Sequence, residues 1–136
     1  MKTQQIAIIL SIFAIILTSC SNQSRLLANI DSYIQTYPDS AYTELKKYKE
    51  SDFTSRKNRA KYCTLYATAL DKNYNDTSKF LDTLISYKNY YAHHGSKRDR
   101  MLYNFYLGDQ MSDSGMPESA ITYFSEALKY AITIQD

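Results

Sequence analysis

MLYNFYLGDQMSDSGMPESAITYFSEALKYA, residues 101–131, decides how the rest of the chain is read. In its second half Ala120, Ile121, Phe124, Ala127, Leu128 and Ala131 recur at helical spacing. That is the stripe of an amphipathic helix. Pro117 stands where such a helix opens, since proline has no N–H to lose in the first turn, and Gly115 stands where the preceding connection turns. In the first half Met101, Leu102, Phe105 and Tyr106 mark another helix, which Ser96 is placed to cap. Two helices joined by so short a connection lie antiparallel, so the stretch reads as a helical hairpin.

The same pattern continues upstream. Leu26, Ile30, Tyr33 and Tyr37 mark a first helix, and Pro38 opens a second that carries Ala41, Leu45 and Tyr48. Thr54 or Ser55 caps a third, with Cys63, Tyr66, Ala67, Leu70 and Tyr74 on its stripe. Asp76 or Thr77 caps a fourth, carrying Phe80, Leu84, Tyr87 and Tyr91, and Gly95 terminates it. The expectation is an all-α fold of about six helices in three antiparallel hairpins. Composition agrees. Three Gly and two Pro in 136 residues are too few for an all-β fold rich in tight turns. Fourteen Tyr and no Trp supply large rings with polar tips, suited to half-buried helix faces.

The N-terminus is of another kind. Residues 6–17, IAIILSIFAIIL, hold no charge, and Lys2 is the only charged residue before Arg25. Twelve residues at about 1.5 Å each fall short of a hydrocarbon core about 30 Å thick. The run suits the apolar region of a signal peptide. Leu17-Thr18-Ser19-Cys20 follows it and resembles the bacterial lipobox. The resemblance implies that residues 1–19 are removed and that the Cys20 thiol is lipidated, with residues 20–24 serving as a short polar tether. It also implies a cell-envelope location, lipid-anchored in the outer membrane and facing the periplasm, because SNQS (21–24) lacks the acidic cluster that directs Bacteroidetes lipoproteins to the outer surface.

Candidate chemistry is sparse. The formal charge is +2, and the densest basic cluster, Lys97-Arg98-Asp99-Arg100, carries its own acid and reads as a solvated helix start. No nucleic-acid partner is expected. Cys63 sits in an apolar helical stripe and reads as a small buried hydrophobe. His93 and His94 are adjacent, so on a helix they point about 100° apart and make a poor metal site. Asp109, Asp113 and Glu118 are too scattered for a calcium loop. No nucleophile–base order, phosphate loop or Cys-x-x-Cys is present. The reading is of a non-enzymatic chain with no cofactor and no metal.

Within the opening stretch, Leu107-Gly108 followed by Ala120, Phe124 and Ala127 has the spacing of the tetratricopeptide repeat's Leu-Gly…Ala-x₃-Phe-x₂-Ala pattern. Asn104, Met111 and Ile132 depart from that pattern. Together with Cys20, the Tyr-Pro-Asp-Ser-Ala segment at 37–41, and Tyr90-Tyr91 before Gly95, the chain resembles the N-terminal part of longer Bacteroidetes lipoproteins of tetratricopeptide type. The resemblance implies a TPR-like solenoid over residues 25–136 that binds a protein or peptide. By position it places Lys61, Thr64, Thr68, Asp71, Phe105, Asp109 and Ser112 in a peptide groove. The alternative it implies is the N-terminal sensory part of a membrane-associated signalling or transcription regulator. No polar capping helix follows residue 131. The expectation is therefore a domain incomplete at its C-terminal end, or one whose last hairpin pairs with something, self-association included.

Overall fold

The computed structural model describes residues 2–135, with side chains described at residues 4–6, 8 and 9 and from Ser21 onward. The chain is all-α. Seven α-helices run in order among the described residues: α1 (Lys2–Tyr33), α2 (Pro38–Leu45), α3 (Arg56–Lys72), α4 (Leu81–Ser86), α5 (Lys88–His93), α6 (Lys97–Asp113) and α7 (Pro117–Gln135). Short 3₁₀ turns at Glu50–Asp52 and Ser78–Phe80 precede α3 and α4. The signal-peptide and lipidation expectations fall on residues 1–20, and the Cys20 side chain lies outside the described residues. Among the described residues no helix is long and apolar enough to cross a membrane.

The helix starts follow local chemistry. Ser55 caps α3 by accepting from the Asn58 N–H at 3.1 Å. Ser96 caps α6 and forms a reciprocal box with Asp99, whose carboxylate accepts from the Ser96 N–H. Pro38 and Pro117 each open a helix. The loop between α3 and α4 turns through Tyr74, which holds a positive φ of 56°, and through Asp76, whose carboxylate accepts from both Ser78 N and Ser78 Oγ. Gly95 and Gly115 take positive φ in the connections that flank α6.

The structure departs from the sequence reading in several places. Tyr48 and Tyr74, expected on the stripes of the second and third helices, lie beyond the ends of α2 and α3, and Tyr74 is fully exposed. The expected fourth helix is broken at Tyr87, which ends α4 and begins α5. Its ring is buried and its hydroxyl donates to Glu50, from the turn before α3. Residues 21–24, expected as a tether, continue α1. Gln23 donates to the Asp52 carbonyl at 2.8 Å and accepts from the Thr54 N–H, and Ser24 donates to Asn58 Oδ1 at 2.9 Å.

Contacts between helices define two layers. Ser24 meets Asn58 and Asp31 meets Lys61, so α1 and α3 run parallel. Lys61 meets Asp99, and farther along Tyr106 meets Thr68, so α3 and α6 are parallel too. Behind this inner layer lie α2, α4, α5 and α7. Lys97, at the start of α6, donates to the Thr133 carbonyl near the end of α7, which makes that pair antiparallel. The core joins both layers: Leu27, Ile30 and Ile34 of α1, Cys63, Leu65 and Ala67 of α3, Leu84, Tyr91, Tyr103 and Leu107 are all buried. Tyr103 donates to the Leu84 carbonyl at 2.8 Å and stacks on Tyr91 with ring centres 4.3 Å apart, so its polar tip is satisfied where its ring is buried. The last hairpin is tightly apposed: a Cβ on Gly108 would lie 3.0 Å from the Phe124 ring and 3.2 Å from the Ala120 carbonyl oxygen.

Candidate functional site: the open face of the inner layer

The inner layer leaves one side of α1, α3 and α6 uncovered. Near the start of the three helices it forms an open cleft of about 380 Å³, lined by Ser24, Ala28, Asp31, Lys57, Lys61 and Arg98, among others. A chain of ion pairs crosses it. Arg98 donates to both Asp31 carboxylate oxygens at 2.7 Å. Lys61 bridges Asp31, at 2.7 Å, and Asp99. One residue from each of α1 and α3 and two from α6 are thus tied together. Burial alone would raise the Asp99 pKa, but hydrogen bonds from Lys61 and Ser96 outweigh it and hold the carboxyl below its usual range.

Farther along the same face the charge reverses. Tyr106 of α6 directs its hydroxyl to the side chains of Thr68 and Gln35, with Asp71 and Asp109 nearby. Burial, reinforced by those two carboxylates, pushes the Tyr106 pKa up to about 12. Burial and the charges of Asp71 and Asp113 raise the Asp109 pKa. The open face therefore runs from a paired, cation-rich end to an acidic one.

The seven residues expected in a groove divide. Lys61, Asp71 and Asp109 all lie half-buried on this face, but Lys61 is at its cation-rich end and only the two aspartates come together, at the acidic end. Ser112 is exposed near the end of α6. Thr64 and Thr68 are buried beneath the surface and offer nothing to a ligand. Thr64 Oγ1 meets the Tyr91 hydroxyl at 2.9 Å, and each threonine also donates to the carbonyl one turn back. Phe105 lies elsewhere. It packs at 5.7 Å from Phe124 and lines a separate apolar cleft of about 400 Å³ between α6 and α7, with Met101, Leu102, Leu128 and Ala131. Phe124, Ala127, Leu128 and Ala131 of the α7 stripe line this cleft and Ile121 faces solvent; Leu128 is 61% exposed whereas Ala127 is 5% exposed.

Asp31, Arg98 and Asp99 belong to the site without having been singled out for it. The basic cluster at 97–100, read as a solvated helix start, sends Arg98 and Asp99 into the cleft instead. Their partners lie 30 to 67 residues away in sequence, beyond any local pattern. Cys63 is fully buried and burial pushes its thiol pKa up, so it is held as the unreactive thiol. His93 and His94 are exposed; His94 packs on the Tyr90 ring at 5.2 Å. Among the described residues no group of three His, Cys, Asp or Glu side chains is arranged to hold a metal ion. Comparison of the chain with protein families, with curated proteins and with solved structures finds no match.

Proposed function

We propose that this chain is a lipid-anchored, non-catalytic helical-repeat protein that holds a protein or peptide partner on the open face of its inner layer. The observation that carries the reading is that face itself: three parallel helices, cross-tied by Arg98, Asp31, Lys61 and Asp99, that leave a cleft with charged groups over a largely apolar lining open to solvent. Three features support a repeat of tetratricopeptide type. The hairpins stack so that their first helices form one layer. Gly108 admits Phe124 and Ala120 at contact distance. The small residues Ala120 and Ala127 are buried where α7 meets α6. Arg98, Asp31, Lys61 and Asp99 are taken up by one another in ion pairs, which suits a binding surface better than activation of a nucleophile.

Two measurements test the two halves of the reading. Metabolic labelling with palmitate should mark the wild-type chain and leave Cys20→Ala unlabelled; equal labelling of both would remove the anchor. Proximity crosslinking in envelope fractions should give adducts with the wild-type chain. Those adducts should disappear when the cleft is filled by Ala28→Arg and its acidic end reversed by Asp71→Lys. They should persist with Asp82→Lys, which changes an exposed charge on the outer layer. Adducts that survive in the cleft variant would mean that the partner sits elsewhere.

A further inference from the structure

Positive charge collects at one end of the helical body. Gln23 lies against Asp52 and Thr54 there, and the starts of α3 and α6 lie beside them. Ser24, Lys57 and Ser96 line one cleft, Arg56 and His94 another, and Lys97 reaches the end of α7. Arg25, Lys49, Arg56, Lys57 and Lys97 are exposed at this end. None of the five forms an ion pair among the described residues. Of the acids nearby, Asp99 is paired with Lys61; Glu50 and Asp52 accept from the neutral Tyr87 hydroxyl and Lys49 N–H and keep their charge, and the five cations outnumber them. The other end carries the loops after α1, α3 and α6, with Asp71, Asp76, Asp109, Asp113 and Glu118 against Lys72 and Lys79.

We propose that the cationic end is a docking surface for anionic lipid headgroups, so that the body stands on the membrane with its acidic end outward. The proposal rests on the Cys20 reading for the side from which the membrane approaches, since α1 leads back from Gln23 to residue 20 at this end. Charge complementarity argues for the occupant. A net charge of +2 would predict little attraction, but the ends do not act together. The 17 residues of α6 span about 25 Å at about 1.5 Å each, and the Debye length at physiological salt is only about 8 Å. A surface touching the starts of α3 and α6 therefore attracts their cations while the far acids are screened. Each basic residue close to an anionic leaflet strengthens binding roughly five-fold.

Vesicle co-sedimentation tests this with the full chain carrying Cys20→Ala in every arm, so that the result does not depend on lipidation. Vesicles of phosphatidylcholine alone are compared with the same vesicles doped with phosphatidylglycerol. The expected result is a preference for the doped vesicles that weakens with added salt. Arg56→Glu with Lys57→Glu should lower that preference by at least about tenfold. Lys72→Glu with Lys79→Glu makes the same change in net charge at the other end and should shift it by less than about two-fold. Glutamates in the first turn of α3 favour the helix dipole, so the first pair should keep its helical circular dichroism. Equal loss from both pairs, or no preference for doped vesicles in the parent chain, would overturn the proposal. Failure of palmitate labelling would leave this result standing and remove only the covalent anchor.

Discussion

Gly108 shows what one missing methyl does. With Phe124 ring carbons 3.0 Å and a backbone oxygen 3.2 Å from where a Cβ would sit, Gly108→Ala forces either the ring or the α6–α7 spacing to give. The better helix propensity of alanine, worth up to about 1 kcal/mol, works the other way. The backbone contact cannot rotate aside, so a net loss of about 1–2 kcal/mol is expected in urea denaturation. Phe124→Leu in the same chain should recover part of that loss, because the two positions share a contact. Asp109 makes a prediction of opposite character. Its folded pKa is raised by burial and by Asp71 and Asp113, so the ionised form is the one the fold disfavours. Stability from this group therefore increases as pH falls through its folded pKa. Asp109→Asn should accordingly raise the melting temperature at neutral pH, with the gain vanishing in acid; an unchanged or lower melting temperature at pH 7 would count against the charge crowding.

At the scale of the element, one stripe divides. Ala127 and Leu128 are neighbours in the same amphipathic pattern, yet Ala127 is buried and Leu128 is largely exposed. Ala127→Lys should cost about 2–4 kcal/mol by burying a charge or prising the hairpin apart, while Leu128→Lys should stay within about 0.5 kcal/mol of wild type. The sequence made both residues apolar and so told them apart only through the small-residue spacing that places Ala120 and Ala127 at a close approach. Helix starts were legible for a similar reason. Ser55, Ser96, Pro38 and Pro117 act through atoms within three residues of themselves. The break at Tyr87 was not legible, since Leu81–His93 contains no glycine or proline and the groups around Tyr87 come from other elements, Glu50 among them. The same limit hid most of the site. A three-residue offset along a helix can be read from spacing, but the pairing of Arg98 with Asp31 depends on how α6 is laid beside α1.

For the molecule as a whole, the ion-pair chain couples three helices that are far apart in sequence. Lys61 is its centre, with 19% of its side chain exposed, so its bonds are only partly screened. Lys61→Met should lower stability by about 1–3 kcal/mol at neutral pH, because it leaves Asp99 half-buried without its lysine. Asp99 has a lowered folded pKa, so its contribution is fully present above the unfolded value of about 3.9 and is lost as pH falls below it. The difference between wild type and Lys61→Met should therefore shrink on acidification over that range, as followed by circular dichroism in urea. A constant difference down to low pH would mean that Lys61 acts through packing of its stem.

Residues 21–24 lie inside α1 and are bonded to the turn before α3 and to its first residues. This has a mechanical consequence. A pull applied to the chain before Ser21 enters the body along the α1 axis, parallel to α3. The seam between those helices is loaded in shear, so Leu27, Ile30, Ile34 and the Asp31–Lys61 bond resist together rather than being peeled apart one by one. Because α1 runs unbroken into the first packed turn, anything that held the chain before Ser21 would turn the body with it, as a shaft turns a lever.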